Sequence, residues 1–282
     1  METGAERLEE AEAEAEAEAE AEAAPAGRLR RASSFGTAAA QYAQHRPGYA
    51  EAAIGWCLAP VSDGQPVRVV DVGAGTGILT GALARIGADV VAVEPDQAML
   101  AELRRQLPGV RALEGSAEAL PLPDQSADAV LCGQSMHWFD MDRALPEIAR
   151  VLRPGGVLAG LWNVDDDRIG WVAELAAISK SGTTLSRWRA TPEADAEHGA
   201  LRTGSSWFAP VEEGEFGHGQ LRSADSLAAV IATYSRMLVM DEAERARTLT
   251  TIRDFLARQP ETSAGEFTLP LVTVALRAER RP

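Results

Sequence analysis

Two carboxylates and three alternating glycines carry the first chemistry visible in this chain. Asp71 sits near the end of an apolar, β-branched run, VRVVDV, and Gly73, Gly75 and Gly77 follow it directly. Leu79 and Leu83 then resume the apolar pattern at helical spacing, so the stretch reads as strand, glycine turn, helix. Glycines at such a turn let a ligand approach the backbone closely, and the helix that follows points free N–H groups at it. Glu94 lies 21 residues beyond Gly73, at the end of the next apolar run, ADVVAV. A carboxylate there can accept hydrogen bonds from both hydroxyls of a ribose. These residues predict the floor of a nucleotide-type cofactor site.

The elements that must position them follow a regular alternation. Apolar strand runs are expected at 67–72, 88–93, 110–113, 127–132 and 157–162, with helices at 97–107 and 142–152 between them. Strands alternating with helices of this length form a parallel sheet covered on both faces, and ligands lie beyond the carboxyl ends of its strands. Gly73, Glu94, Ser116, Gln134 and Asn163 all stand just past such ends, so they can converge. Beyond them, 169–179, 225–240 and 242–258 read as helices, and 211–220 and 267–276 as strands. Pro270 would sit best near the start of its strand or on an edge. The stretch 180–210, rich in Ser, Thr, Gly and Arg, is too long for a plain connection and reads as a lid or insertion. The fold class expected is α/β: a doubly wound, mostly parallel seven-stranded sheet with an antiparallel C-terminal strand and a helical cap.

The domain plan follows. Residues 1–33 read as a disordered acidic Ala-Glu tail and linker, because period-2 Ala-Glu offers neither a helix face nor a strand core. Residues 34–282 form one domain, with a cofactor-binding core at 66–163 and a variable acceptor or lid region at 165–240. The tail carries ten Glu against one Arg in residues 1–24, so most of the net charge of −15 lies there. The remaining, mildly acidic body opposes generic nucleic-acid binding, which needs a basic surface. No run of 18 apolar residues is present, so no membrane helix is expected. Cys57 and Cys132 belong to no CxxC pair or metal-ligand set, and the four histidines show no metal spacing. A reducing, cytoplasmic setting fits. Oligomeric state is not legible.

The glycine pattern selects among cofactors. A dinucleotide fingerprint, GxGxxG, needs Gly where Ile78 stands. A phosphate-binding P-loop needs Gly-Lys-Ser/Thr, which does not follow. The segment resembles motif I of class I S-adenosylmethionine-dependent methyltransferases, and EPDQAML resembles the acidic motif that follows it. GSAEALPLPDQSADAVLCGQSMHWFD and RVLRPGG are similar to the adenine-side loop, fourth strand and fifth-strand approach of the methyltransferase type 11 group. FxxxAxxYxxxRPxY, carried by Phe35, Ala39, Tyr42, Arg46, Pro47 and Tyr49, resembles the branch that includes trans-aconitate methyltransferases. Two departures stand out. Ser116 occupies the place of a common Asp that holds the adenine amino group, and Ala50 follows the YxxxRPxY motif where Pro is frequent.

The resemblance implies S-adenosyl-L-methionine as cofactor and assigns residues to it. Glu94 would bind the ribose diol. Gly73, Ala74, Gly75 and Gly77 would let the cofactor approach, and Asp71 would orient the turn toward its methionine end. Pro95, Met99, Ser116, Ala117 and Glu118 would surround the adenine. Gln134 would present its backbone carbonyl to the methionine ammonium, and Tyr42 and Arg46 would cap the methionine carboxylate. His137 lies where the methyl should point and is a candidate general base or a satisfied strand-end histidine. Trp138, Trp162 and Asn163 are candidates for the acceptor pocket, with core packing the alternative for the two tryptophans.

The expected activity is methyl transfer to a small-molecule acceptor, by O- or N-methylation, with a carboxylate included among the acceptors. A sulfonium already activates its methyl, so the protein mainly aligns reactants and excludes water, and no catalytic triad is needed. A methyltransferase acting on a macromolecule, a non-catalytic S-adenosylmethionine binder and a nicotinamide oxidoreductase are the alternatives.

Overall fold

A computed structural model describes residues 46–179, 183–190, 205–232, 237 and 240–282. The expected tail, the linker and Tyr42 lie outside the described residues, as does much of 180–210.

The chain enters with α1 (Glu51–Leu58) and a short 3-10 turn (Ala59–Val61). There follow β1 (Arg68–Val72), α2 (Ile78–Arg85), β2 (Asp89–Glu94), α3 (Gln97–Gln106) and β3 (Arg111–Glu114). Next come β4 (Ala127–Gly133), a 3-10 turn (Met136–Trp138), α4 (Met141–Val151) and β5 (Leu152–Asp165). The C-terminal part contributes α5 (Gly170–Ser179), α6 (Leu185–Ala190), β6 (Glu212–Ser223), α7 (Ala224–Ile231), α8 (Glu242–Arg258) and β7 (Glu266–Glu279).

The seven strands form one sheet in the order β3-β2-β1-β4-β5-β7-β6. β1 to β5 pair in parallel, and β7 runs antiparallel between β5 and β6. This is the doubly wound, seven-stranded architecture expected. The central strands are apolar throughout because both faces are covered. Val70 and Val72 of β1, Val130 and Cys132 of β4 and Leu158 of β5 pack under Ala144, Leu145 and Ile148 of α4. The alternate residues Val69, Ala129, Leu131, Ala159 and Leu161 pack under Ile54 and Cys57 of α1 and Leu79 and Leu83 of α2. Each fully buried aliphatic side chain of this kind contributes about 1.5–3 kcal/mol.

At the amino ends of the strands, Asp128 accepts from the Arg68 guanidinium at 2.7 Å and from Arg153 Nε at 2.6 Å. These pairs, the Arg68 bonds foremost, hold its carboxyl well below the usual range, at about 2. α5, α7 and α8 pack together through Trp171, Leu175, Leu227, Ile252 and Phe255 and cover Phe267, Leu269 and Leu271 at the start of β7.

β5 and the helix after β6 differ in extent from expectation. β5 continues beyond Trp162 to Asp165 because β7 pairs with it as far as Asp165↔Leu271. The helix expected over 225–240 ends at Ile231. Pro270 pairs with Gly219 of β6 but lies one residue past the β5 ladder, where its missing N–H leaves no strand neighbour unpaired.

Candidate functional site

A cavity of about 490 Å³ opens where the carboxyl ends of β1, β2, β4 and β5 meet. Its floor is the turn after β1. Gly73 takes φ +67°, and a Cβ there would lie 2.6 Å from Ser135 Cβ, so only glycine lets the turn nest against the loop after β4. Ser135 Oγ in turn donates to Val72 O at 2.8 Å.

Glu94 closes the end of β2 and is almost fully buried. Its Oε2 accepts from Gly75 N at 2.8 Å and its Oε1 from Asp96 N at 2.9 Å. Burial raises its pKa above the ordinary carboxylate value, against the two backbone N–H bonds that lower it. Each oxygen retains acceptor capacity, because a carboxylate offers about four lone-pair sites. Asp96 caps α3, accepting from Ala98 N and Met99 N, and so brings Met99 into the cavity wall.

Asp71 is completely buried. One oxygen accepts from Thr80 Oγ1 at 2.6 Å. The other, Oδ1, has no hydrogen-bond partner among the described residues, and Asp71 lines the cavity. Burial, assisted by the charge of Glu94, pushes its carboxyl up to about 7 although the Thr80 hydroxyl pulls the other way. Thr76, in the same turn, is also buried and lines the cavity, and its hydroxyl has no partner among the described residues. Buried polar atoms without partners are costly, and two at one cavity mark a surface built to meet a polar ligand.

Most of the residues expected at the site come together here. Gly73, Ala74, Gly75, Pro95, Ser116 and Ala117 line the cavity beside Asp71, Glu94 and Met99. Arg46, Gln134, His137, Trp138 and Asn163 line it on the other side. Gln134 holds φ +55°, an uncommon backbone for a non-glycine residue, and its N–H donates to Leu161 O at 2.9 Å.

Three expected residues, Gly77, Glu118 and Trp162, are not among those lining the cavity. Gly77 caps α2 with φ +91°, and a Cβ there would meet Leu103 and Leu107 of α3 at 3.0 Å, so it serves helix packing and not the cavity wall. Glu118 Oε1 accepts from Asp140 N at 2.9 Å, which ties the loop after β3 to the loop after β4. Trp162 lies inside β5, three residues before its end at Asp165. It joins the α4-side core and packs 5.2 Å from the Trp188 ring, away from the cavity.

The sequence reading also missed part of the wall. Tyr49 packs so closely over the end of β4 that a Cβ on Gly133 would stand 2.5 Å from its hydroxyl. Asp165, Thr183, Val230, Met237 and Leu271 extend the cavity beneath the C-terminal helices. The tyrosine was visible in the YxxxRPxY pattern. The others come from strand ends and helices whose meeting no local pattern announces.

Comparison with known proteins agrees with this architecture. The methyltransferase-domain family Methyltransf_11 matches residues 70–160. An uncharacterized methyltransferase of Mycobacterium tuberculosis is 40% identical over 247 residues, covering 87% of this chain and 95% of the relative. One from Schizosaccharomyces pombe is 31% identical over 253 residues, covering 88% and 98%. A malonyl-[acyl-carrier protein] O-methyltransferase of Methylococcus capsulatus is 42% identical over 100 residues, only 33% of this chain and 36% of that one. A solved structure from Anaeromyxobacter dehalogenans, described as a type II methyltransferase, superposes with TM-score 0.61 at 24% identity over 83% of this chain and 97% of its own. That superposition is a likeness of fold. The near full-length sequence relatives go further, and by them the chain belongs to the class I S-adenosylmethionine-dependent methyltransferases.

Proposed function

We propose that this protein binds S-adenosyl-L-methionine in the cavity at the strand ends and methylates a small-molecule nucleophile. The observation that carries the reading is the pair of buried carboxylates on the cavity floor, Glu94 with spare acceptor sites and Asp71 with an unpartnered oxygen. A ligand with a hydroxyl-bearing ribose at one end and an ammonium at the other satisfies both.

In this reading Glu94 accepts from the ribose hydroxyls. Gly73, Ala74 and Gly75 leave the backbone open beneath the ligand. Pro95, Met99, Ser116 and Ala117 flank the adenine. Asp71 stabilises the ammonium end, directly or through a water, and the Gln134 carbonyl accepts from it. Arg46, with its planar fork, suits the methionine carboxylate.

When bound, S-adenosylmethionine supplies an electrophilic methyl on a positively charged sulfur. The chain then has to aim a nucleophile at that methyl in line and keep water out. His137 stands on the 3-10 turn after β4 and would receive the proton from a hydroxyl or N–H acceptor as the new bond forms, whereas a carboxylate acceptor brings no proton and would need only to be positioned. Trp138 walls the same side, where an aromatic face favours a nearby cation.

The lining of the cavity extends past His137 to Val230, Met237 and Leu271, and a concave site of about 490 Å³ suits a small acceptor better than a macromolecule. The Arg46-Pro47-Tyr49 pattern puts small carboxylic acids first among acceptors to try. The short match to the malonyl-[acyl-carrier protein] enzyme points the same way.

Two measurements test this. Calorimetry with S-adenosylhomocysteine and with NAD is expected to show binding of the first alone; NAD binding without it overturns the reading. A labelled-methyl screen of acids, phenols and amines is expected to find an acceptor whose methylation falls in His137→Ala while S-adenosylhomocysteine affinity holds.

A further inference from the structure

Asn163, expected to face an acceptor, has every hydrogen-bonding site of its side chain engaged by the protein. Its Nδ2 donates to Gly48 O at 3.0 Å and Pro47 O at 3.4 Å. Its Oδ1 accepts from Thr273 Oγ1 at 2.7 Å and lies 3.2 Å from His218 Nε2. Thr273 Oγ1 accepts from Ala50 N at 3.0 Å, so the same cluster grips the chain again two residues on. An amide has two donors and two acceptor sites, and all four are used here.

Proton counting fixes the state of His218. The Thr273 hydroxyl has one proton, and at 2.7 Å it belongs to Asn163 Oδ1. His218 Nε2 lies 3.2 Å from both the Asn163 oxygen and the Thr273 oxygen. An unprotonated Nε2 would face two lone pairs with no proton between them. Nε2 therefore carries the hydrogen and donates. That choice also forbids rotation of the Asn163 amide, since a reversed amide would turn its NH₂ toward two donors and its oxygen toward two carbonyls.

The segment gripped in this way is 47–50. It carries Pro47 and Tyr49, and with Arg46 just before it forms one wall of the cavity. From this cluster we infer that His218 and Thr273, on β6 and β7, are positioning residues that set Asn163 and so hold the 46–50 wall against the cofactor cavity. His218 itself is not among the residues lining the cavity, so it acts through Asn163. The consequence for cofactor binding rests on the cavity being the S-adenosylmethionine site, whereas the effect on the wall does not.

The test compares wild type, His218→Leu, His218→Gln and Thr273→Val. The glutamine places an N–H where the imidazole Nε2 stood. Hydrogen exchange at the Tyr49 and Ala50 amides reads the wall without any ligand. His218→Leu and Thr273→Val are expected to speed that exchange and to weaken S-adenosylhomocysteine about tenfold, the scale of one net buried hydrogen bond. With an acceptor in hand, KM for S-adenosylmethionine should rise while kcat holds. His218→Gln is expected to restore both exchange and affinity. Unchanged exchange in His218→Leu and Thr273→Val overturns the inference. So does a loss in His218→Gln equal to that in His218→Leu, which would mark a packing role. If wild type fails to bind S-adenosylhomocysteine, the cofactor reading falls and the exchange data alone decide the role of His218.

Discussion

The amide of Gly75 donates to Glu94 Oε2 at 2.8 Å, which ties the glycine turn after β1 to the carboxylate that ends β2. Glu94 therefore shapes the floor on which a ligand would lie as well as offering it acceptors. Glu94→Ala is expected to weaken S-adenosylhomocysteine by about 1–3 kcal/mol, the range for lost hydrogen bonds to a charged group. Glu94→Gln, which keeps one oxygen, should lose less. Calorimetry on the two variants checks the order, and equal affinity in wild type and both variants removes Glu94 from the site.

Asp71 makes a pH prediction. Its folded pKa of about 7 stands above the unfolded carboxylate value, so the native state holds a proton that the unfolded state releases. Stability from this residue is fully present below an unfolded pKa of about 4 and declines as pH rises toward 7. Asp71→Asn should flatten that part of the stability profile. An ammonium-bearing ligand prefers the charged carboxylate, so its affinity should rise with pH through the same window. Chemical denaturation and calorimetry between pH 5 and 8 read the two slopes, and identical profiles for wild type and Asp71→Asn would contradict the assignment.

Gly133→Ala should leave the fold largely intact and disturb the cavity. The new Cβ would lie 2.5 Å from the Tyr49 hydroxyl and 2.9 Å from its Cζ, at the movable end of that side chain. Tyr49 must swing aside. We expect a small fall in Tm with a larger loss of S-adenosylhomocysteine affinity; an affinity loss no greater than the Tm change implies would mean Tyr49 does not matter to the ligand.

Gly156→Ala should do the reverse. Its Cβ would meet two backbone carbonyls, Arg153 O and Asp128 O, each at 2.9 Å. Neither can rotate away, so strain of about 1–3 kcal/mol is expected. This site is at the opposite end of the sheet from the cavity. Denaturation should therefore show the loss, while ligand affinity at temperatures well below the transition stays near that of wild type.

The core of the fold was readable because buried parallel strands are written as short apolar runs between Gly and Pro turns. Val69, Val70 and Val72, or Ala129 to Cys132, leave little else to be. The carboxyl-end rule then gathered residues far apart in sequence, and Asp71, Glu94, Ser116, Gln134 and Asn163 do line one cavity. What failed was decided by neighbours. Trp162 is expected to end its strand, because that strand alone gives no sign that β7 will extend the pairing to Asp165. Gly77 looks like its two companions, and only the approach of Leu103 and Leu107 separates it from them. His218 lies in EEGEFGHGQLRS, whose polarity suits an edge strand, and nothing local ties it to Asn163, 55 residues earlier.

The bond from Ala50 N to Thr273 Oγ1 spans 223 residues. It joins the wall that precedes the first strand to β7, which is an interior strand of the sheet. No portion of the chain ending before residue 273 can close the cavity, however well β1 to β5 have formed. Contacts of such sequence separation bear the loop-closure entropy of nearly the whole domain, and they slow folding accordingly. Ligand-binding competence should therefore be the last property to arrive during refolding, appearing after the helical signal has recovered.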